Sequence, residues 1–154
     1  MGSPRGRACE TSRGLTMAGM EDSEARARVG RARVGRLATI GSRAPHVVPI
    51  CFVLDGDLVY SVVDRKPKRT LELQRLRNLT RDARATLLVD HYEEDWSRLW
   101  WVRLEGEAST LPPGAEEMHA RRLLTEKYAQ YRSAEPPGPV LRLVIRRWAG
   151  WAAS

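Results

Sequence analysis

The sequence has few of the residues on which metal sites and disulfide frameworks depend. Its 154 residues include two cysteines and three histidines. The histidines, His46, His91 and His119, lie too far apart to match any zinc-binding spacing. Cys9 and Cys51 do not make a disulfide framework, and we interpret Cys51, in an apolar run, as a small core residue. The sequence therefore predicts no metal site and a reducing, cytoplasmic setting.

Several sequence patterns are also missing. No segment approaches the roughly 18 to 20 apolar residues that span a bilayer, and the N-terminus lacks the apolar core of a signal peptide. There is no phosphate-binding loop of the form GxxxxGK[ST], no GxGxxG after a strand and no nucleophile elbow. The acidic run at 93–95 follows His91 in a predicted loop, and we interpret it as solvated. Because no segment is apolar and long enough to span a bilayer, we expect no contact with a membrane.

The positive charge is concentrated in one part of the chain. The formal net charge is +7, from 26 basic and 19 acidic residues. Residues 65–84 contain eight of the basic and two of the acidic residues, so this segment accounts for nearly the whole excess. A localised excess favours a specific anionic partner over a generally adhesive surface.

A basic turn lies between a predicted strand at 58–63 and a predicted helix at 68–79. Pro67 suits the first turn of a helix, where its missing N–H is not needed. Free amides and the positive end of the helix dipole would form a site for a phosphate or polyanion, with hydroxyls at Ser61 and Thr70. From these residues alone, a solvated turn that binds nothing is the alternative. The basic residues at the turn are Arg65, Lys66, Lys68 and Arg69.

Strands outnumber helices in the predicted order of elements. Gly56 marks a hairpin in Asp-Gly-Asp, and Pro49 marks an edge position, a bulge or a strand end because it cannot donate to a ladder. Tight turns join the first strands, which favours a mainly β fold, an antiparallel barrel with peripheral helices. We predict a disordered tail over 1–20 and one domain over 21–154. Within it we predict helices at 21–36, 68–79 and 115–131, and strands at 37–40, 45–54, 58–63, 85–90, 99–111 (bent at Gly106) and 140–148.

The tryptophans fall in two short segments, one around the start of the predicted strand at 99–111 and one around the end of the predicted strand at 140–148. Trp100 and Trp101 would face opposite sides of a strand, so that one enters the core and the other faces a pocket. Tryptophan offers a flat surface to a planar ring. Packing in the core or between subunits is the alternative for each of them. The five tryptophans are Trp96, Trp100, Trp101, Trp148 and Trp151.

In this order and spacing, several segments resemble the flavin-binding split barrels related to pyridoxamine-phosphate oxidase. Within that superfamily they are most similar to the actinobacterial branch of coenzyme F420-dependent oxidoreductases. The resemblance covers roughly residues 24 to 150. The segments are Arg36-Leu37-Ala38-Thr39-Ile40-Gly41, Pro45-His46-Val47-Val48-Pro49-Ile50, Asp64-Arg65-Lys66-Pro67-Lys68-Arg69-Thr70, Leu76-Arg77-Asn78, Leu88-Val89-Asp90-His91-Tyr92, and Asp95 to Arg103.

The resemblance implies an FMN-binding type of split β-barrel, assembled as a homodimer with two cofactor sites at the subunit interface. The cofactor phosphate would lie at the basic turn, and the backbone beside the Pro49 kink would meet the ring. The implied cofactor-binding residues are Val48, Pro49, Ile50, Ser61, Lys66, Lys68 and Arg69. The candidates for substrate contact are His46, Trp100 and Arg103.

The implied activity is hydride transfer between the deazaflavin F420 and a small organic substrate, for which the cofactor supplies the reactivity. FMN is the alternative cofactor, and a non-catalytic flavin or deazaflavin module is the alternative function. A nucleic-acid-binding protein is a third hypothesis, weakened because the excess charge is confined to one turn and helix. We expect a homodimer with an interface larger than ~2,000 Å², formed by the tryptophan-containing segments at 99–102 and 148–151.

Overall fold

The computed structural model of the protein describes residues 14–63 and 69–154. Over these ranges the chain forms a mainly β structure with four α-helices and a short 3₁₀-helix, Trp96–Arg98. The strands are β1 (Gly14–Ala18), β2 (Gly35–Ile40), β3 (Pro45–Ile50), β4 (Val53–Asp55), β5 (Leu58–Val62), β6 (Arg84–His91), β7 (Trp100–Thr110) and β8 (Val140–Ala152). The helices are α1 (Asp22–Arg31), α2 (Arg69–Arg81), α3 (Ala115–Lys127) and α4 (Ala129–Ser133).

The strands form one curled sheet in the order β3-β2-β6-β7-β8-β5-β4, and β1 pairs with β8 outside this path. Every neighbouring pair along the path is antiparallel, whereas β1 runs parallel to β8. The long β8 pairs with β7 along one side and with β5 and then β1 along the other. This is the split-barrel fold, and the prediction of a mainly β barrel with peripheral helices is confirmed.

The core lies on the concave, inner face of the sheet. Because successive side chains of a strand point to opposite faces, alternate residues of β6 and β7 are buried there, among them Leu87, Val102 and Leu104. Phe52 and Trp148 complete the largest apolar cluster, to which α2 contributes Leu79. A second cluster lies under α3 and α4, and its buried members are Tyr60, Val62, Leu111, Ala120, Leu124, Tyr128, Tyr131 and Val140.

The predicted strand at 45–54 is divided, but not at Pro49. The strand β3 runs through Pro49 to Ile50, and the break falls at Cys51 and Phe52. Since β3 ends the sheet order, Pro49 lies on an edge strand, which is one of the three positions that the sequence allowed and one where proline is tolerated. Side chains bind the backbone at the break: the Phe52 N–H donates to the Tyr128 hydroxyl at 2.9 Å, and the Cys51 carbonyl accepts from the Ser61 hydroxyl at 2.7 Å.

The N-terminal boundary differs from the expected tail. Strand β1 lies within the segment predicted to be disordered, pairing from Gly14 with Arg147 to Ala18 with Trp151. Gly19 then turns the chain at a φ of +68°, and Met20 is buried in the core. Five residues are too few to show a period, and β1 has a partner only because the edge of β8 lies beside it. Residues 1–13 lie outside the described residues.

Two helices are shorter than predicted. The first ends at Arg31 rather than 36, and the one predicted at 115–131 is divided at Tyr128, whose backbone is extended. The Tyr128 hydroxyl lies 2.9 Å from the carbonyl oxygens of Arg33 and Phe52, and this anchor interrupts the helix. In the described part of the chain, every helix is too short or too polar to cross a membrane.

Candidate functional site

The outer face of the sheet carries an apolar cavity of about 620 Å³, here called the outer-face cavity. Its residues alternate with the core residues on the same strands. On β6, for example, Leu87 lies in the core while Leu88 lines the cavity. The lining comprises Arg36, Ala38, Val47, Thr86, Leu88, Asp90, His91, Tyr92, Leu99, Trp100, Trp101, Arg103 and Trp151.

Aromatic rings and guanidinium groups meet in this cavity. Trp101 on β7 is the register partner of Trp151 on β8, and both line the outer face. The Arg103 guanidinium lies 5.7 Å from the centroid of the Trp101 ring. The Trp100 ring packs partly against the core and stacks with His91 at a centroid distance of 6.4 Å. Flat apolar surfaces beside cations suit a planar ring that carries partial negative charge.

Ion pairs hold the charged side chains of the cavity in place. The Arg36 guanidinium lies 2.6 Å from the Asp90 carboxylate, and Arg103 donates to Glu105 at 2.6 Å. At the rim, His91 lies 2.5 Å from the Glu93 carboxylate. Among the described residues there is no group of three histidine, cysteine or carboxylate side chains arranged to hold a metal. The ion pairs hold the guanidinium groups of Arg36 and Arg103 in fixed orientations for hydrogen bonding to a ligand.

The strand β3 borders the cavity along one side. Val47 lines the cavity and is 58% exposed. Ile50 is buried in the core, and Val48 is half-buried and packs partly against it. Pro49 is exposed. The backbone contact with the cofactor ring that was predicted for Val48, Pro49 and Ile50 stays a prediction.

His46 does not line the outer-face cavity, whereas Trp100 and Arg103 do. His46 is the register partner of Thr39, whose side chain is buried. Its Nδ1 is buried and makes no hydrogen bond with the part of the chain that the structure describes. The three predicted substrate contacts are therefore not brought together, and the role of His46 stays a prediction.

Ser61 is buried in the barrel rather than exposed at the basic turn. It is 4% exposed, and its hydroxyl donates to the Cys51 carbonyl at 2.7 Å. It faces a small interior space beside Leu37 and Ile50. Contact between this hydroxyl and a phosphate would require the bond to Cys51 to be exchanged. Its role as a phosphate ligand stays a prediction.

The predicted phosphate ligands Lys66 and Lys68 lie outside the described residues. Helix α2 begins at Arg69, one residue after the predicted start. The polar anchor of its other half is Asn78, which is fully buried and donates to the Thr39 hydroxyl at 3.0 Å. The position of the helix on the sheet is thereby defined, while the phosphate-binding roles of Lys66, Lys68 and Arg69 stay predictions.

The sequence of residues 21–152 matches the family described as Pyridoxamine 5'-phosphate oxidase. The chain belongs to this family. Pyridoxamine 5'-phosphate oxidase-like proteins are flavin-binding oxidoreductases built on the split barrel, in agreement with the sheet described above. The assignment to an F420-dependent branch goes further than this match. A search of curated proteins finds no match to the sequence.

Solved structures share the fold with this family member. A conserved hypothetical protein of Mycobacterium tuberculosis is 22% identical with a TM-score of 0.70, over 86% of this chain and 85% of that one. A FAD-binding protein of Mesorhizobium loti is 21% identical with a TM-score of 0.64, over 85% and 94% of the two chains. The FAD-binding protein of Mycobacterium smegmatis is 18% identical with a TM-score of 0.60, over 85% and 95%. Likeness at this identity shows the fold alone.

Sequence reasoning about this pyridoxamine 5'-phosphate oxidase-like protein named as site residues only Trp100 and Arg103 among the thirteen residues that line the outer-face cavity. Leu88 and Asp90 line the outer-face cavity but were not predicted as site residues. One of Trp100 and Trp101 was expected to face a pocket and the other to enter the core, whereas both line this cavity.

The signal for Trp101 was the alternation along β7 with buried Val102 and Leu104. The signal for Leu88 and Asp90 was the alternation along β6 with buried Leu87 and Val89. The link between Trp101 and Trp151 has no local signal, because it depends on the pairing of β7 with β8.

Proposed function

We propose that this protein is an oxidoreductase that uses coenzyme F420, with FMN as the alternative cofactor, and acts on a small organic substrate. The observation that carries the proposal is the outer-face cavity, where three tryptophans and two arginines lie beside the edge strand β3. Membership of a flavin-binding family supports the class of cofactor. The excess of basic residues at 65–84 supports a cofactor with more than one anionic group.

The residues present fit a flat cofactor. A volume of about 620 Å³ with a mainly apolar lining accepts a fused ring system. Trp101 and the backbone of Val48 to Ile50 would hold the ring, and Lys66, Lys68 and Arg69 would hold its phosphate. When bound, the cofactor supplies hydride transfer, while the protein supplies position and electrostatics.

The remaining side chains bind and orient. Val47, Leu88 and Trp151 line the outer face with apolar surface, which would exclude water once a ligand or a second subunit covers it. Arg103 presents N–H donors to the substrate, in an orientation held by its 2.6 Å contact with Glu105. Trp100 offers a second flat surface. The substrate is therefore expected to carry a polar acceptor on an otherwise apolar body.

We also propose the homodimer that the family resemblance implies. The outer face exposes apolar side chains, with Val47 at 58% and Trp151 at 39% exposure. A second copy seated on this face would cover them and would enclose the cavity between two subunits. Of the segments predicted for the interface, Trp101 and Trp151 lie on this face, whereas Val102 and Trp148 lie in the core. An interface of ~2,000 Å² is typical of stable assemblies of this kind.

The experiment is a pair of separate titrations with F420 and FMN, followed by ring fluorescence. Tighter binding of F420 supports the proposal, FMN binding alone supports the alternative, and failure of both contradicts it. We expect Lys68→Ala to weaken cofactor binding by roughly 1.5 to 3 kcal/mol, the value of a charge-assisted contact. The exposed Arg146→Gln on β8 is the matched control for loss of one charge. Cofactor binding without turnover of a panel of enones and tetrapyrroles would identify a non-catalytic module instead.

A further inference from the structure

A second cavity, of about 810 Å³, lies where the end of α1 meets the start of β2 and the loop before β7. We call it the arginine cavity. It is lined by five arginines and a single carboxylate, together with neutral groups. The charged residues are Arg28, Arg31, Arg33, Arg36, Arg98 and Asp90.

The positive charge in this cavity is only partly neutralised. Arg36 pairs with Asp90 at 2.6 Å, and Arg98 lies 3.3 Å from the Glu93 carboxylate. Arg28 pairs with Glu24, which lies one helical turn earlier on α1. These three pairs use every carboxylate in contact with the lining arginines within the described ranges.

Two arginines of the cavity have no carboxylate partner in the described part of the chain. Arg31 is exposed and makes no side-chain hydrogen bond or ion pair there. Arg33 donates to the Lys127 carbonyl at 2.7 Å, which is a neutral acceptor. Guanidinium groups bind phosphate and carboxylate groups through paired N–H donors. The cavity therefore has donors and charge for an anion that bears more than one negative charge.

The arginine cavity and the outer-face cavity share a wall. Arg36, Asp90, His91 and Trp100 line both of them. The Arg28 guanidinium also lies over the Trp100 ring, 5.4 Å from the ring centroid. The two cavities are therefore adjacent, and an anionic extension of a ligand in the outer-face cavity would lie near the arginines.

We propose that the arginine cavity binds an anionic end of the substrate that bears two or more negative charges, either a phosphate group or two or more carboxylates. The assignment to the substrate rests on the proposed function, because the phosphate of the cofactor is expected at the basic turn before α2. That helix packs against β2 through Asn78 and Thr39, whereas the arginine cavity lies at Arg36 and Trp100. The substrate would thus be an apolar body with two or more anionic charges at one end.

Calorimetric titration with inorganic pyrophosphate and with tricarballylate tests the proposal. We expect binding to the wild-type protein and at least a tenfold loss of affinity in Arg31→Gln/Arg98→Gln, since both side chains are exposed and line the cavity. The control Arg122→Gln/Arg146→Gln removes two exposed arginines elsewhere and should bind as the wild type does. Equal affinity in all three proteins, or equal loss in both variants, would overturn the proposal. Tighter binding of pyrophosphate assigns a phosphate group, and tighter binding of tricarballylate assigns carboxylates.

A titration with cofactor separates this inference from the proposed function. With saturating pyrophosphate present, F420 or FMN should still bind, since the substrate and the cofactor occupy different places. Displacement of the cofactor by pyrophosphate would overturn the assignment to the substrate. Cofactor binding in a protein that takes up neither anion would leave the proposed function standing and refute the anion site. Anion binding without any cofactor binding would leave the anion site standing and refute the proposed function.

Discussion

The two faces of the sheet differ although the same strands build both. On the inner face, side chains such as Leu87, Val102 and Leu104 are fully buried. On the outer face, their immediate neighbours Leu88, Trp101 and Arg103 line an open cavity. Burial of apolar surface inside drives folding, whereas the apolar surface outside contributes little until a ligand or a partner covers it. The residues that stabilise the barrel and the residues that bind ligands therefore alternate along each strand.

Polar groups show the same contrast. Inside, Asn78 is fully buried and bonded to Thr39 and Gln74, and Ser61 is bonded to a backbone carbonyl. These bonds satisfy groups that would otherwise be buried without partners. Outside, arginines line both cavities, and part of their charge has no carboxylate partner in the described chain. The buried polar groups with hydrogen-bond partners stabilise the fold, whereas the arginines of the cavities are available to bind a ligand.

Replacing the two adjacent leucines of β6 by alanine, one at a time, should give the largest difference in stability between the two faces. We expect Leu87→Ala to lower the free energy of unfolding by about 2–5 kcal/mol, because it leaves a cavity in the core. Leu88→Ala removes the same atoms from the open face and should cost less than about 1 kcal/mol in the monomer, with both variants compared at a protein concentration too low for the proposed dimer to form. Urea denaturation of both variants measures the difference. Equal losses would show that the outer face is packed in the folded monomer.

A charge on the outer face should break the proposed dimer. We expect Val47→Asp/Leu88→Asp to raise the dissociation constant of the dimer at least 100-fold, about 2.7 kcal/mol, because a buried unpaired carboxylate is costly. Met118→Asp on α3, where the side chain is 71% exposed, is the control. Analytical ultracentrifugation at micromolar concentration gives the result. A wild-type protein that is monomeric under these conditions would refute the interface.

Deletions at the N-terminus test whether β1 belongs to the barrel. Removal of residues 1–19 takes away β1 and Met17, which packs against the core. We expect a loss of roughly 1–3 kcal/mol, close to the value of burying one large apolar side chain. Removal of residues 1–13 keeps β1 and should leave stability nearly unchanged. Thermal denaturation compares the two, and matching melting temperatures would remove β1 from the fold.

The smallest expected effect concerns Lys127, whose ammonium donates to the Phe52 carbonyl at 2.8 Å. Burial, with the nearby charge of Arg33, lowers the pKa of this lysine from 10.5 to about 8. The unfolded chain therefore holds the proton more tightly, and this group makes the folded protein more stable as pH rises from about 8 to 10.5. The stability of the wild type relative to Lys127→Met should increase between pH 7.5 and 9.5 in urea denaturation. A constant difference would contradict the lowered pKa.

Local features of the fold were predictable because neighbours in the chain produce them. The hairpin at 55–57 is confirmed, with Gly56 at a φ of +61°. The bend at Gly106 is confirmed as a register shift, and a Cβ there would lie 1.9 Å from the Val144 carbonyl oxygen. The division of the last helix at Tyr128 was not predictable, because the carbonyls that its hydroxyl meets belong to Arg33 and Phe52.

The candidate site was predictable to a lesser degree for the same reason. Trp100, Arg103 and the edge position of Pro49 followed from strand patterns and from the family resemblance. The positions of Ser61 and His46 depend on the curl of the sheet, which directs one to the interior and leaves the other outside the cavity.

The sequence by itself determined the mainly β class, the alternation of apolar residues along the strands, the family and the segment that carries the excess charge. These follow from the period of two in a strand and from local composition. The tertiary structure decided that Trp101 meets Trp151, that Arg36 meets Asp90, and that arginines from α1 and from the loop before β7 surround one cavity. Residues more than 40 positions apart become neighbours only when strand pairing and sheet curvature place them together, and no local pattern encodes that pairing.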